Sequence, residues 1–369
     1  MKSKPRIFIA GGGTGGHIYP AVAVADYMKC DAEIYYVGNP KNLEYDIVTQ
    51  KNYRFLPVNV HGMPRKLSFS LIFWGFQLII AILKCLIYII KYRPEVVFGT
   101  GGYVSAPALI AAKLLFVPYV MHDCDSNPGL VTRKLAPGAY GVSLAFEKAK
   151  EYIKNKNIHI NGNPIRLEFK EITKEQAREE LKLENKLTIC IMGGSQGAKS
   201  INSSACKILK TLSEEYNVQV IFQTGKKKYD EVEKELIENY PEYIADKNLI
   251  VKPYFDNMVT VLKASDIAIS RAGSLSISEL CACGIGTIFV PYPHAAADHQ
   301  RKNARVMENY GAGIYLEDDD VTPVKLLELL KNLITDSAKL QKMQENAYGL
   351  AKFNGTYEIV EQIKSALNR

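Results

Sequence analysis

The 369-residue sequence has few cysteines, and they form no metal-binding or disulfide pattern. The seven cysteines are odd in number and scattered along the chain, and only Cys281 and Cys283 stand close together. Neither a second pair nor a histidine lies at zinc-site spacing from them, so we expect seven reduced, mostly buried thiols and no metal. The N-terminus lacks an apolar run that ends at a small-residue cleavage site, which predicts a protein that stays in the cytoplasm.

The sequence also lacks the carboxylate that a nicotinamide-dependent dehydrogenase uses to hold its cofactor. Residues 7–17 read as an apolar strand, the glycine pattern Gly-x-Gly-x-x-Gly and the start of a helix. In dehydrogenases an acidic residue at the end of the next strand binds the ribose, whereas here that strand ends in Gly38-Asn39. The loop therefore predicts an anion site at a helix N-terminus without NAD or another cofactor, and His17 is its one titratable side chain.

Acidic residues are scarce in the first half of the chain. Through Asn163 there are 19 Lys and Arg residues against 10 Asp and Glu, and the remainder holds 27 against 29. The net charge of +7 therefore belongs to the first half, which predicts an anionic partner there, either a membrane surface or a phosphorylated acceptor. No basic and aromatic interleaving or recognition-helix pattern is present, so we expect no nucleic acid as a partner.

The order of predicted elements indicates an α/β protein with two doubly wound, parallel-sheet domains. Helical segments separate the strand patterns, as in sheets covered on both faces. A length of 369 residues and a hydrophobic fraction of 47% fit two cores joined near Gly162 to Pro164. Strands are predicted at 6–10, 33–37, 54–60, 95–99, 117–121 and 140–144, then at 187–192, 218–223, 249–251, 266–269, 286–290 and 313–316.

The segment from Leu71 to Ile90 is apolar and long enough to span a bilayer. It lies between two predicted strands, so it must serve as the crossover helix of a βαβ unit instead. Either both sides are buried, or one side faces lipid in a basic setting. In the second case the sheet face would be Ile72, Phe76, Ile79 and Leu83, the lipid face Leu71, Leu78, Ile82 and Ile89, and the basic residues Arg65, Lys66, Lys84, Lys91 and Arg93.

Three further polar segments follow predicted strands. Glycine turns at 99–105 and 193–198 resemble the glycine loop within residues 7–17. Turns at the same edge of a sheet face a common ligand crevice. Glu279 lies near the start of a helix, where it is either a favourable acid at the positive dipole end or a ligand for vicinal ribose hydroxyls. The loop at 291–300 is either a solvated turn or a site for sugar hydroxyls.

Together these motifs resemble those of the MurG family of peptidoglycan N-acetylglucosaminyltransferases, in glycosyltransferase family 28. The resemblance covers almost the whole chain and rests on the order Gly-Gly-Thr-Gly-Gly-His, Gly-Gly-Tyr-Val-Ser, Gly-Asn-Pro-x-Arg, Gly-Gly-Ser-Gln-Gly-Ala, Ser-x-Ser-Glu and Pro-Tyr-Pro-His. It implies a GT-B fold of two Rossmann-like domains facing an interdomain cleft. The expected domains are 1–163 for acceptor and membrane, 164–340 for the donor, and 341–369 as a returning helix.

The resemblance further implies a reaction and a set of site residues. N-acetylglucosamine would pass from UDP-GlcNAc to the 4-hydroxyl of undecaprenyl-pyrophosphoryl-MurNAc-pentapeptide, with inversion, at the cytoplasmic face of the membrane. The acceptor and reaction centre would be met by Thr14, Gly15, Gly16 and His17. The donor would be held by Arg166, Ser195 and Gln196 at its phosphates, by Tyr254, Phe255 and Met258 at the uracil, by Ser274, Leu275 and Ser276 at a helix start, by Glu279 at the ribose, and by Gln300 and Asn303 at the hexose.

Two segments depart from the family pattern. Where the family reads His-Glu-Gln-Asn, this chain reads His122-Asp123-Cys124-Asp125. In the loop after Pro291 the family reads Ala-Ala-Asp-Asn-His-Gln, and this chain reads Ala-Ala-Ala-Asp-His-Gln at residues 295–300. An inverting transfer needs a base, for which His17 is the first candidate because imidazole titrates near neutral pH, with Asp125 as the alternative. Another UDP-sugar transferase, a UDP-GlcNAc 2-epimerase and a non-catalytic UDP-sugar sensor remain as rival functions.

Overall fold

The computed structural model describes residues 4–64, 69–166, 168–194 and 196–369, except for the side chain of Phe69. The chain divides into two compact units, which are Met1–Ile165 together with Lys352–Arg369, and Arg166–Ala351. Arg65, Lys66 and Ser195, which the sequence pattern singled out, lie outside the described residues.

Each unit is built on one parallel sheet. Among the residues that the structure describes, the N-terminal unit has seven strands in the order β3-β2-β1-β4-β5-β6-β7, and the second unit has six in the order β10-β9-β8-β11-β12-β13. The strands of the N-terminal unit are β1 (Arg6–Ala10), β2 (Glu33–Gly38), β3 (Arg54–Pro57), β4 (Val96–Gly99), β5 (Tyr119–Asp123), β6 (Gly141–Leu144) and β7 (Ile158–Ile160). Those of the second unit are β8 (Thr188–Met192), β9 (Gln219–Gln223), β10 (Leu249–Lys252), β11 (Ile267–Ser270), β12 (Gly286–Phe289) and β13 (Gly313–Tyr315).

Helices connect these strands and cover both sheets. In the N-terminal unit they are α1 (Gly15–Met28), α2 (Leu43–Gln50), α3 (Phe69–Tyr92), α4 (Gly102–Leu114) and α5 (Leu130–Leu135). The second unit contains α6 (Glu168–Glu171), α7 (Lys174–Glu180), α8 (Lys199–Cys206), α9 (Leu209–Glu214), α10 (Tyr229–Asn239), α11 (Met258–Ala264), α12 (Ser274–Cys283), α13 (His299–Asn309), α14 (Pro323–Thr335) and α15 (Ser337–Gly349). The last helix, α16 (Gly355–Leu367), belongs to the N-terminal unit.

The central strand β1 is buried on both faces, which explains its continuous apolar sequence. Because side chains alternate along a strand, Ile7 and Ile9 enter one core cluster and Phe8 enters the other. The first cluster is closed by α1 and α16, and the second by α3 and α4. The N-terminal sheet therefore needs the last helix of the chain to cover one of its faces.

Both strand orders place a topological switch beside the central strand. In the N-terminal unit β1 pairs with β2 on one side and β4 on the other, and in the second unit β8 lies between β9 and β11. Open α/β sheets bind ligands outside the carboxyl ends of the strands at this point. In the N-terminal unit the glycine segments after β1 and β4 lie at this edge of its sheet. In the second unit the glycine segment after β8 and the start of α12 lie at the corresponding edge of the other sheet.

The twelve strands predicted from the sequence are all present, and the expected α/β class with two doubly wound parallel sheets is confirmed. The sequence did not predict β7, a three-residue edge strand whose side chains are only partly buried. The predicted unit boundaries are also displaced. Since α15 packs on α12 and β12, it belongs to the second unit, and the returning segment begins at Lys352 rather than at residue 341.

The long helix α3 is the crossover helix that the sequence predicts, but the predicted assignment of its faces is wrong. Its most apolar window has a mean hydropathy of 2.1, and only 17% of that window is buried. The alternative prediction, that both sides of this helix are buried, is therefore also wrong. The side facing the sheet contains Ala81, Cys85 and Ile89, with Leu78 and Leu86 partly buried beside them. The exposed side consists of Ile72, Phe73, Phe76, Ile79, Ile80, Leu83, Ile87 and Ile90.

The error has a physical cause. Because α3 is apolar nearly all round, its sequence shows that both sides are apolar but not which side turns towards the sheet. The small residue Ala81 and the thiol of Cys85 allow a close approach to the strands, whereas the bulkier side chains point outwards. We call this exposed side of α3 the apolar face.

Candidate active site

His17 lies in the first turn of α1, directly after the first glycine loop. Its Nδ1 atom is 2.8 Å from the carbonyl oxygen of Thr100, and the Thr100 hydroxyl donates to the His17 carbonyl at 2.7 Å. A carbonyl oxygen only accepts hydrogen bonds, so Nδ1 carries the proton and the lone pair of the neutral ring is on Nε2. The turn after β4 thus fixes the tautomer that a general base needs.

The second glycine turn shapes the space around this imidazole. Gly101 and Gly102 have φ values of 75° and 69°, in the left-handed region that favours glycine. A Cβ atom on Gly102 would lie 2.9 Å from Cδ2 of His17. The two glycine segments, predicted to share one edge of the sheet, are therefore in contact through His17.

A buried glutamate that the sequence analysis missed supports the first loop. Glu44, near the start of α2, has no exposed surface, and its carboxylate accepts hydrogen bonds from the backbone amides of Gly13 and Asn39, each at 3.1 Å. Tyr36 donates from its hydroxyl to the Gly11 carbonyl at 2.8 Å, and burial raises the pKa of that phenol. No motif indicates Glu44, because it comes 31 residues after Gly13 and its neighbours are ordinary helix residues.

Two adjacent buried residues at the end of β5 have opposite pKa shifts. Burial lowers the pKa of His122 to about 4, and its ring contacts Ser143 and Asn163. Burial, reinforced by the charge of Asp125, raises the pKa of Asp123 to about 6. Asp123 accepts from the hydroxyl of Thr132 and from the amides of residues 125 and 129, so it organises the segment that departs from the family pattern.

Asp125 lies on that segment, partly buried, with its amide bonded to Asp123. The guanidinium of Arg133, later on the same segment, donates to the Pro128 carbonyl at 2.8 Å and to Oδ1 of Asn127 at 2.6 Å. Cys124 is buried, with its sulfur 3.7 Å from Nδ1 of His17. The departing segment is thus in direct contact with the candidate base.

In the second unit, the glycine loop after β8 is open. Gly194 has a φ of 83°, and a Cβ atom there would meet no atom of the described residues within 4 Å. Gly197, by contrast, lies so close to the Thr224 carbonyl and Gly225 that no side chain would fit. Gln196 is exposed beside them. The Gly197 end of the loop is held in place by packing, whereas Gly194 and Gln196 are exposed. A site for a ligand's phosphates requires this combination.

Arg166 and Glu279 form an ion pair in the second unit, with 3.4 Å between Nη2 and Oε1. Burial raises the pKa of Glu279, and the guanidinium opposes this shift. Glu279 lies on α12, whose first residues are Ser274, Leu275 and Ser276 and whose N-cap is Gly273. An arginine, a carboxylate and helix-start amides are the groups that a nucleoside diphosphate needs.

The residues expected around a uracil occupy the segment between β10 and α11. Tyr254 is partly exposed with Nζ of Lys226 over its ring at 4.6 Å, whereas Phe255 is buried and its amide donates to Gln223 at 3.0 Å. Met258 begins α11 and is partly buried. Of these three residues, only Tyr254 has an exposed aromatic ring.

The residues expected at the hexose differ in their exposure. Gln300 accepts from the Tyr292 amide at 2.9 Å and holds the loop after β12. Asn303 is fully buried and donates to the Ala272 carbonyl at 3.4 Å, so it supports the turn before α12. In the loop that departs from the family, Ala297 and Asp298 both have positive φ values, of 50° and 57°.

Comparison with known proteins agrees with this geometry. The profile of the glycosyltransferase family 28 N-terminal domain matches residues 7–143, and that of the family's C-terminal domain matches residues 188–363. Two relatives are described as UDP-N-acetylglucosamine–N-acetylmuramyl-(pentapeptide) pyrophosphoryl-undecaprenol N-acetylglucosamine transferases. That of Caldanaerobacter subterraneus is 37% identical over 98% of this chain and 99% of its own. That of Desulforamulus reducens is 35% identical over 99% of both chains.

A solved structure supports the fold. The crystal structure of Acinetobacter baumannii MurG superposes with a TM-score of 0.78 at 24% identity, covering 98% of this chain and 99% of that one. The GT-B architecture of two Rossmann-like units is therefore confirmed. With both domain profiles matched and full-length relatives above 30% identity, the chain belongs to glycosyltransferase family 28 and, within it, to the MurG family.

Proposed function

We propose that the protein is a hexosyltransferase that moves N-acetylglucosamine from UDP-GlcNAc to the 4-hydroxyl of undecaprenyl-pyrophosphoryl-MurNAc-pentapeptide. The product is the disaccharide-linked lipid precursor of peptidoglycan, and the reaction inverts the anomeric centre. One observation carries the chemistry: Nδ1 of His17 is committed to the Thr100 carbonyl, so Nε2 is the atom that accepts a proton.

In this mechanism the N-terminal unit activates the acceptor. Nε2 of His17 takes the proton of the 4-hydroxyl as its oxygen attacks the anomeric carbon. Thr14, Gly15 and Gly16 lie at the exposed or partly exposed rim of the same loop and meet the acceptor. Asp125 is the alternative base, on the segment whose Cys124 contacts the His17 ring.

The second unit holds the donor and stabilises the departing UDP. Glu279 accepts from the ribose hydroxyls, while Arg166 and the amides at the start of α12 face the pyrophosphate. Tyr254 covers one side of the uracil. The negative charge that forms on the leaving group is thus met by a guanidinium and by backbone donors.

The decisive experiment measures UDP release and the lipid product with the purified protein, UDP-GlcNAc and the lipid-linked muramyl-pentapeptide. We expect UDP release that depends on the acceptor, with one disaccharide product per UDP. UDP release onto a different lipid acceptor would identify another UDP-sugar transferase. Interconversion of the sugar without an acceptor would identify an epimerase, and binding without turnover a sensor.

We also propose that the N-terminal unit binds peripherally to the cytoplasmic face of the membrane, through the apolar face of α3. Among its side chains Ile72 is 72% exposed and Phe76 is 61% exposed, whereas large apolar patches are rare on proteins that stay in water. Lys84 and Lys91 flank the apolar face, and Phe116, 94% exposed, follows the neighbouring helix α4. This combination favours an interfacial contact with anionic lipid.

The position of α3 in the N-terminal unit supports this proposal. The helix α3 begins after β3, at the carboxyl edge of the sheet, which is also where the His17 loop lies. A membrane held against α3 would therefore present the head group of its lipid near that edge.

Replacing Ile79 and Leu83 by Ser should reduce binding to vesicles containing anionic lipid and leave the fold intact, because both side chains are more than half exposed. Co-sedimentation measures this, and binding should weaken as salt screens charges beyond about 10 Å. The matched control replaces Ile237 and Ile244, exposed apolar residues of the second unit, and should bind as the unmodified protein does. Equal loss in both variants would contradict the assignment.

A further inference from the structure

The first glycine loop already holds an anion, and that anion is the side chain of Glu44. One carboxylate oxygen accepts from the Gly13 amide at 3.1 Å. The other accepts from the Asn39 amide at 3.1 Å and from Nδ2 of Asn42 at 3.3 Å. The Gly13 amide is a donor of the kind by which a glycine loop ordinarily binds a phosphate, whereas Asn39 and Asn42 belong to the segment between β2 and α2.

Hydrogen bonds alone hold this charge. The carboxylate is fully buried, and among residues 4–64, 69–166, 168–194 and 196–369 no lysine, arginine or histidine forms an ion pair with it. Burying a carboxylate without a counter-ion is costly unless good donors surround it. The Gly13 amide and Glu44 therefore satisfy each other, and that amide is not available to a ligand.

The carboxylate also fills the space that a ligand would use. A Cβ atom on Gly12 would lie 2.4 Å from Oε1 of Glu44, and one on Gly13 would lie 3.0 Å from the ring of Tyr103. In dinucleotide-binding loops this approach to the glycine backbone is the place of the pyrophosphate. At Gly194 of the second unit, by contrast, none of the described residues lies within 4 Å of an added Cβ atom.

We propose that Glu44 is a specificity-determining residue that closes the first glycine loop to soluble diphosphates. Two units with the same kind of loop would otherwise both attract the anionic donor, and a nucleotide in the first loop would obstruct the acceptor beside His17. The buried carboxylate occupies the Gly13 amide and repels a second anion there. The proposal rests on the proposed function for the identity of the donor. The binding of pyrophosphate to the first glycine loop can be tested without that assumption.

Glu44→Gln tests the proposal, because the amide removes the charge and has only one accepting oxygen, so it cannot accept from both the Gly13 and the Asn39 amides. With inorganic pyrophosphate as the probe, calorimetry should show at least tenfold tighter binding to this variant than to the unmodified protein. Pyrophosphate should also become a competitive inhibitor against the lipid acceptor, with UDP affinity unchanged. The matched control is Asp46→Asn, which removes one exposed acid from the same helix and should behave as the unmodified protein.

Equal pyrophosphate affinity in Glu44→Gln and Asp46→Asn would overturn the proposal. If Glu44→Gln is poorly folded, thermal unfolding decides, because an anion that binds only the folded loop raises Tm. The proposal requires pyrophosphate to raise the Tm of Glu44→Gln by several degrees more than that of Asp46→Asn, and an equal shift contradicts it. Failure of the proposed function would be seen separately, as absence of UDP binding or transfer in the unmodified protein.

Discussion

The two glycine loops that follow β1 and β8 have similar sequences and different surroundings. The first is filled by the carboxylate of Glu44 and the ring of Tyr103, and it places His17 at its end. The second is open at Gly194. A glycine motif thus predicts the course of the backbone, whereas its ligand is decided by whatever side chain the rest of the chain brings to it.

This difference separates the tasks of the two units. The filled loop supports an imidazole whose tautomer is fixed by Thr100, so the N-terminal unit is suited to proton transfer. The open loop lies in the unit that contains the Arg166–Glu279 pair, which is suited to a nucleoside diphosphate. Chemistry and donor binding should therefore respond to different substitutions.

The largest effect that would test this separation is expected from His17→Gln. Removing the base should lower kcat by about 10²–10⁴-fold and leave UDP-GlcNAc affinity unchanged. Steady-state kinetics and calorimetry measure the two quantities, with His159→Gln, an exposed histidine on β7, as the control. Loss of donor affinity with intact turnover would remove the distinction between the units.

The next effect concerns pH and two buried groups of the N-terminal unit. As the pH falls from about 6.5 to 4, the unfolded chain protonates His122 first, so the fold loses stability. Between about 6 and 3.8 the folded state protonates Asp123 first, so the fold gains stability and the two effects oppose each other. In Asp123→Asn only the destabilising effect of His122 remains. The free energy of unfolding should therefore fall by about 3 kcal/mol as the pH falls from about 6.5 to 4.

Urea unfolding of Asp123→Asn and of the unmodified protein at several pH values between 4 and 7 tests this prediction. His122→Gln is the complementary variant, and its stability should increase on acidification through pH 6. Identical pH profiles in all three proteins would show that these buried groups do not titrate as described.

In the second unit, Glu279→Ala should weaken UDP-GlcNAc binding by about 1.5–3 kcal/mol, because a charge-assisted hydrogen bond to the ribose is lost. Turnover at saturating donor should change much less. Calorimetry with UDP measures the effect, and Glu238→Ala, an exposed acid on α10, is the control. Unchanged UDP affinity would remove Glu279 from the donor site.

The smallest effect is expected for Asp125→Asn, which restores the amide of the family pattern. With His17 as the base, turnover with the muramyl acceptor should be preserved or raised, since an anion is removed from a site for a pyrophosphate-bearing lipid. A loss of about 10²-fold in kcat with intact donor binding would instead assign the base to Asp125. A pH–rate profile that loses its acidic limb in the variant would support the same reassignment.

Much of the fold could be predicted from the sequence, because strands buried on both faces are continuous apolar runs and each ends in a glycine or polar turn. The edge strand β7 lacks the first property, because it has only three residues and none of them is fully buried. The orientation of α3 was predicted wrongly, because an apolar helix carries no record of which side is buried. Glu44 and Asp123 were missed as supports of the site because their partners come from distant or irregular parts of the chain.

The position of α16 has a consequence for how the protein is made. Ile359, Val360 and Ile363 cover one face of the N-terminal sheet, yet they are synthesised after the whole second unit. Domains generally fold as units during synthesis, N-terminal first. Here we expect the first domain to remain incompletely folded, with one side of its sheet uncovered, until the second domain has been translated. A ribosome that stops early would therefore release a chain whose His17 domain is unfinished.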